Sequence, residues 1–199
     1  MSLLQQYKAL ILIAMAVLAL LVASPVISQF LVAPQTEYLT ELSLFGPYHN
    51  ASYPFNVTSD DVYPFYLTVS NHLGSSAYYQ IQVKFRNPAE PAPDSFNHTF
   101  SDLPSLCNIT FFVADKSSFE LPLNVSFHYQ ANPLLREVNM NDIIVNGYWL
   151  NASSTSVPWD SQKSAYLGNL FFELWLFNNT INDFQYHQRY VSLWLNMSQ

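Results

Sequence analysis

The chain has 199 residues, half of them hydrophobic but only 11% charged, and a net charge of −7. With seven Lys and Arg against 14 Asp and Glu, the composition disfavours nucleic acid and anionic membrane surfaces as partners. One cysteine, Cys107, excludes an intramolecular disulfide, and four glycines leave no material for a glycine-rich phosphate loop.

From the N-terminus, Ala9 to Val32 is apolar except for Ser24, Ser28 and Gln29. About 20 apolar residues are needed to cross a bilayer, so residues 1–33 read as a single transmembrane helix with a short N-terminal extension. A cleaved signal peptide is the alternative, although Val26-Ile27-Ser28 makes a poor cleavage site and Pro25 spoils the pair before it. Lys8 before the run, with Glu37 and Glu41 after it, places the N-terminus inside and residues 34–199 outside.

The rest of the chain reads as short strands separated by Pro, Asn and Gly signals: Glu37–Phe45, Phe65–Asn71, Tyr78–Arg86, Ile109–Val113, Phe119–Tyr129, Ile143–Leu150, Leu170–Phe177 and Tyr190–Met197. Spacing alone also permits a helix over Lys163–Phe177. Leu121, Leu123, Val125, Phe127 and Tyr129 alternate with Pro122, Asn124, Ser126 and His128, the mark of a half-buried strand with the second set facing solvent. Val191, Leu193, Leu195 and Met197 repeat that pattern, with Asn196 and Ser198 facing out. Leu170–Phe177 is apolar on both faces and reads as a central strand covered on both sides or as a buried protein interface. Asn87–Ser95, with Pro88, Pro91 and Pro93, reads as a long exposed loop. These elements predict a mainly β, antiparallel sandwich. A division near residue 131, at the less apolar Asn132–Asp142, into two smaller β units is the alternative.

Eight Asn-x-Ser/Thr sequons, none with proline in the middle, begin at Asn50, Asn56, Asn97, Asn108, Asn124, Asn151, Asn178 and Asn196. With 17 Asn and 30 Ser or Thr in the chain, chance placement gives roughly two or three. None precedes Asn50, so the sequons independently put the C-terminal part on the glycosylating side. All eight are competent acceptors, and N-linked glycans are thus expected on most of them. A surface solvated by sugars and neutral polar side chains has little need of ionised ones; working at low external pH is another reading of the scarce charge.

The chemistry-bearing residues form no catalytic pattern. His49, His72, His98, His128 and His187 lack metal-ligand spacing, so no metal or cofactor is expected. Asp60-Asp61 fits a turn better than a calcium loop. No Gly-x-Ser-x-Gly elbow occurs. Cys107 reads as a small buried hydrophobe, with an intermolecular disulfide as the lesser alternative. Trp194 falls on the face of Asn196 rather than that of Leu193 and Leu195, which marks it as an exposed contact for a glycan, a partner or a second layer of the fold.

Leu44-Phe45-Gly46-Pro47, Tyr53-Pro54-Phe55-Asn56-Val57-Thr58 and Val69-Ser70-Asn71-His72 occur in that order, and the chain closes on Arg189–Ser198. In these stretches it resembles an archaeal family of membrane proteins built on a domain of unknown function (the sixteen-sixteen domain). The resemblance spans about residue 37 to the end and implies an immunoglobulin-like β domain outside the membrane. Many members carry several helices before that domain, where this chain has one. The resemblance implies no activity.

The expected function is therefore non-enzymatic: a single-pass, N-glycosylated extracellular β-sandwich with a structural or binding role at the cell envelope, meeting other envelope or membrane proteins. An accessory subunit of a larger membrane complex is the alternative. An enzyme acting on envelope polysaccharide through converging carboxylates is the third reading.

Overall fold

The computed structural model describes residues 3–30 and 38–197, with helix side chains at Tyr7, Lys8 and Leu10–Ser24. Residues 1–2 and 31–33 of the expected anchor, Glu37 of the first expected strand and Ser198, expected to face out after the last, lie outside the described residues. The chain groups into two compact units, Met1–Glu37 and Tyr38–Gln199.

The first unit holds one helix, α1 (Leu3–Phe30). At 1.5 Å per residue its 28 residues extend about 42 Å. Leu10, Ile11, Leu12, Ile13, Leu18, Leu20, Leu21 and Val22 are all more than half exposed, so among the described side chains no polar stripe separates a dry face from a wet one. Among the described residues no helix is long and apolar enough to cross a membrane.

The second unit is built of strands: β1 (Leu39–Phe45), β2 (Asn56–Val57), β3 (Val62–His72), β4 (Ala77–Arg86), β5 (Cys107–Val113), β6 (Ser117–Asn132), β7 (Glu137–Val145), β8 (Tyr148–Asn151), β9 (Ser156–Asp160), β10 (Ala165–Asn178) and β11 (Asp183–Met197). In one sheet β1, β3, β6 and β7 lie side by side, with β8 and the start of β9 sharing the outer edge of β7. In the other, β5, β4, β10, β11 and β2 follow one another; only the β11–β2 contact is parallel. The end of β9 then pairs with Ala165 and Tyr166 of β10 and joins the two sheets. The result is mainly β and sandwich-like.

Alternation fills the space between the sheets. Phe65, Leu67 and Val69 of β3, with Leu123, Val125 and Phe127 of β6, meet Tyr79, Ile81, Val83 and Phe85 of β4 and Leu170, Phe172 and Leu174 of β10 in one apolar core. Val125 and Phe127 are fully enclosed, as the period-two pattern predicts. Ser126, expected in solvent, is buried instead. It is paired with Val62 on one side and Ile144 on the other, and a side chain that small is shaded by larger neighbours even on an outer face.

Three expectations about the elements need correction. Lys163–Phe177 carries no helix; β10 runs through it. Ile143–Leu150 is not one strand. Asn146 (φ 51°) and Gly147 (φ 84°) turn the chain between β7 and β8, with Asn-Gly supplying the two left-handed residues that a tight hairpin needs. Nor is there a boundary near residue 131, since β6 passes through Ala131 without interruption and β7 covers most of Asn132–Asp142. The β10 expectation holds in its first form: it lies between β4 and β11 and is buried on both faces.

Candidate functional site

The far face of β10 is covered by the segment between β4 and β5, residues 87–106. This segment leaves β4 at Arg86 and folds back across the sheet. Ser101 is its anchor: its N–H donates to Glu173 Oε1 at 2.7 Å and its carbonyl accepts from Lys84 Nζ at 2.7 Å. Lys84 Nζ also meets Glu173 Oε2 at 2.8 Å, with side-chain exposures of 3% and 0%. Glu173 is the one acidic side chain buried among the described residues. Phe100 packs on Trp175 and Tyr186 beside this pair, and burial, aided by the Glu173 charge, pushes the Tyr186 phenol up. Asn87–Ser95 is thus the start of a covering layer, although most of its residues remain exposed as expected.

Trp194 stands on this same face, 39% exposed. The Arg86 guanidinium lies 4.9 Å from its ring centre and the Lys163 ammonium 5.9 Å. Arg86 Nε donates to Asn169 Oδ1, and Asn169 Nδ2 to the Leu193 carbonyl, which ties β4, β10 and β11 together. The exposed aromatic is therefore accompanied by two cations rather than free.

A second polar cluster links the two sheets near Tyr38. Opposite the junction of Leu174 and Trp175, β11 carries a two-residue bulge containing His187 and Gln188 (φ 56°), which re-aims His187. Its Nε2 lies 3.0 Å from Thr40 Oγ1 on β1. Thr40 Oγ1 is also 2.9 Å from the Tyr79 hydroxyl, which donates to Asn71 Oδ1. Asn71 Nδ2 in turn holds the carbonyls of Ser75 and Val113. Burial, helped by Arg189, lowers the His187 pKa, and burial raises that of Tyr79. A hydroxyl beside an imidazole resembles a nucleophile and its base. Here Thr40 is 2% exposed and its oxygen already serves Tyr79, so the arrangement works as a latch between sheets. Cavities of about 470 and 230 Å³ open nearby, both bordered by Leu73.

Six of the sequon asparagines, Asn50, Asn56, Asn97, Asn108, Asn124 and Asn151, are exposed; Asn178 and Asn196 are half-buried. Asn124 points outward as the alternation requires, but Asn196 is tied into the fold. Among the remaining sequence candidates, Asp60 (φ 72°) sits in a turn, its carboxylate 2.6 Å from His128 Nε2. His128 also stacks edge-on against Trp149, so it is only partly exposed rather than free in solvent. Among the described residues no group of three His, Cys, Asp or Glu side chains is placed to hold a metal. Cys107 is half-buried on the inner face of β5, and burial pushes its thiol up, away from the reactive thiolate. It borders an apolar cleft of about 340 Å³ between β5 and the β7–β8 hairpin.

Sequence reasoning missed the Lys84–Glu173 pair and the His187–Thr40 latch. Neither is local, the partners being 89 and 147 residues apart. A Lys and a Glu placed amid the apolar strands β4 and β10 were the available signal. Neither a family model nor any curated protein matches the chain.

Proposed function

We propose that the protein is a single-pass, N-glycosylated envelope protein whose exterior β unit has a structural or binding role. The observation that carries this reading is a contrast of surfaces. α1 exposes apolar side chains on every side, which in water is unfavourable and in lipid is not. The β unit instead presents six exposed sequon asparagines on a surface poor in charge. The apolar sequence from Ala9 to Val32 has the length for a bilayer crossing.

An immunoglobulin-like assignment is supported by strand order. β1, β3 and β6 occupy the places of strands A, B and E, and β5, β4, β10 and β11 those of C′, C, F and G. β7 takes the place of strand D beside E but follows E in the chain, and β8 and β9, which pair along its other side, form with it an insertion before F. The proposed kinship with the archaeal family is supported by what its motif residues do. A Cβ on Gly46 would lie 1.9 Å from the Ser52 carbonyl oxygen, the Tyr53 hydroxyl donates to the Leu44 carbonyl, and Asn71 anchors the turn after β3.

Membrane fractionation tests the reading. The chain should stay with membranes through an alkaline carbonate wash, and protease added to intact cells should remove the β unit. Release into the wash, or protection of the β unit in intact cells, would overturn it. Co-purification of integral membrane proteins in equal amount from mild detergent would instead favour the accessory-subunit role.

A further inference from the structure

Two of the eight sequons meet in space. β2 and β11 run parallel with Asn56 opposite Asn196, and Asn196 Nδ2 donates to Asn56 Oδ1 at 2.9 Å. Asn196 is held at its other end too, since its Oδ1 accepts the Tyr166 N–H at 3.0 Å. Its own N–H donates to the Phe55 carbonyl at 2.6 Å. The half-buried Asn196 amide therefore joins β2, β10 and β11, with its plane set from both sides. Asn56 is different. It is exposed, contributes only its carbonyl oxygen to the pair, and its Nδ2 donates no hydrogen bond among the described residues.

We propose that the Asn56–Asn196 pair carries a single N-linked glycan, on Asn56, and that Asn196 is a structural asparagine despite its sequon. This rests on the envelope reading above. N-glycosylation replaces one hydrogen on Nδ2 by the C1 atom of the first sugar and leaves Oδ1 untouched. On Asn56 that exchange preserves the hydrogen bond it accepts. On Asn196 it removes one of two hydrogens from the nitrogen that makes the bond, and it sets a sugar ring against the neighbouring strand while Oδ1 stays pinned to Tyr166. Once β11 has paired, the amide is held away from the modifying enzyme by the same bonds.

The experiment is intact-glycopeptide mass spectrometry of the full chain from its own cells, with two variants that each delete one sequon and keep its asparagine. Thr58→Ala should remove one glycan mass, whereas Ser198→Ala should leave the glycan mass unchanged. Asn196→Gln, which displaces the amide, should lower the melting temperature, and Ser198→Ala should not. In the unaltered protein, occupancy at Asn56 should exceed that at Asn196 several-fold. Comparable occupancy at both, or loss of a glycan in Ser198→Ala, would overturn the proposal while leaving the envelope reading intact. A chain bare at all eight sequons would overturn both.

Discussion

Removing Lys84 tests whether the segment between β4 and β5 is a true layer of the fold. In Lys84→Met the stem is replaced by a chain of similar volume, but the Glu173 carboxylate, 0% exposed, loses the ammonium 2.8 Å away. It keeps one hydrogen bond, from Ser101 N–H, while the Ser101 carbonyl loses its donor. Breaking one side of a buried ion pair costs about 3–5 kcal/mol, because the remaining charge has lost its partner and has no water. For a unit of this size that is roughly a 6–20 °C fall in melting temperature. Adding Glu173→Gln removes the stranded charge and retains a carbonyl oxygen for Ser101, so the double variant should be more stable than Lys84→Met alone. Denaturant melts of the wild type, both single variants and the double variant complete the cycle. If Lys84→Met lies within about 0.5 kcal/mol of the wild type, an ordinary surface effect, the pair is solvated and the segment is not a layer. If the double variant is the sum of the singles, the two groups are uncoupled and the reasoning fails.

Phe127→Ala should cost about 3–5 kcal/mol, the range for emptying a fully enclosed aromatic site. His128→Ala should cost only about 1 kcal/mol or less, because its partner Asp60 is largely exposed; equal losses in denaturant melts would remove the alternation argument. For His187 the folded pKa lies below the unfolded value of about 6.5, so the unfolded chain binds the proton first on acidification. Its contribution is therefore complete above about pH 6.5 and declines as pH falls, and subtracting the stability profile of His187→Gln from that of wild type should show that slope. A flat difference would mean the latch is solvated. Gly46→Ala drives a Cβ into the Ser52 carbonyl oxygen and should cost about 3 kcal/mol, the upper end of overpacking; a thermal melt unchanged by the substitution would place that turn elsewhere.

Most of the β unit was legible because burial on one face leaves a period of two in the sequence. β3, β4, β6 and the second half of β11 each carry it, and each was located to within a few residues. The first half of β11, Asp183–Arg189, was missed because five of its seven residues are polar, with only Phe184 and Tyr186 between them. It is a strand through its pairing with β10, across a bulge that no periodicity encodes. β9 was missed because it is five residues long and contains Pro158, a residue that suits an edge and argues against an interior strand. The Asn146-Gly147 turn carried a direct signal, two residues that tolerate positive φ between apolar runs, and reading through it merged two strands into one. Ser126 shows the limit of alternation itself. Period two decides which face a side chain takes, whereas its exposure depends on the size of its neighbours.

The same limit explains why the covered face of β10 was half legible. Two apolar faces required cover on both sides, and that inference needed only composition. What supplied the cover required knowing where residues 87–106 fold, and a segment of turns with one isolated bridge, Asp94–Thr99, has no period to read. The charges record the outcome. Lys84, Arg86 and Glu173 are the charged side chains buried among the described residues, and all three lie on the face beneath that segment or at its root. An ion pair is expensive to bury unless its remaining hydrogen bonds are met, and here one backbone residue, Ser101, meets both partners. The segment therefore does for Lys84 and Glu173 what a further strand would do for apolar side chains: it excludes water and satisfies what it encloses. It also begins beside Trp194 and bears the exposed Asn97, so the covering layer, the aromatic with its two cations and one sequon share a single face of the β unit.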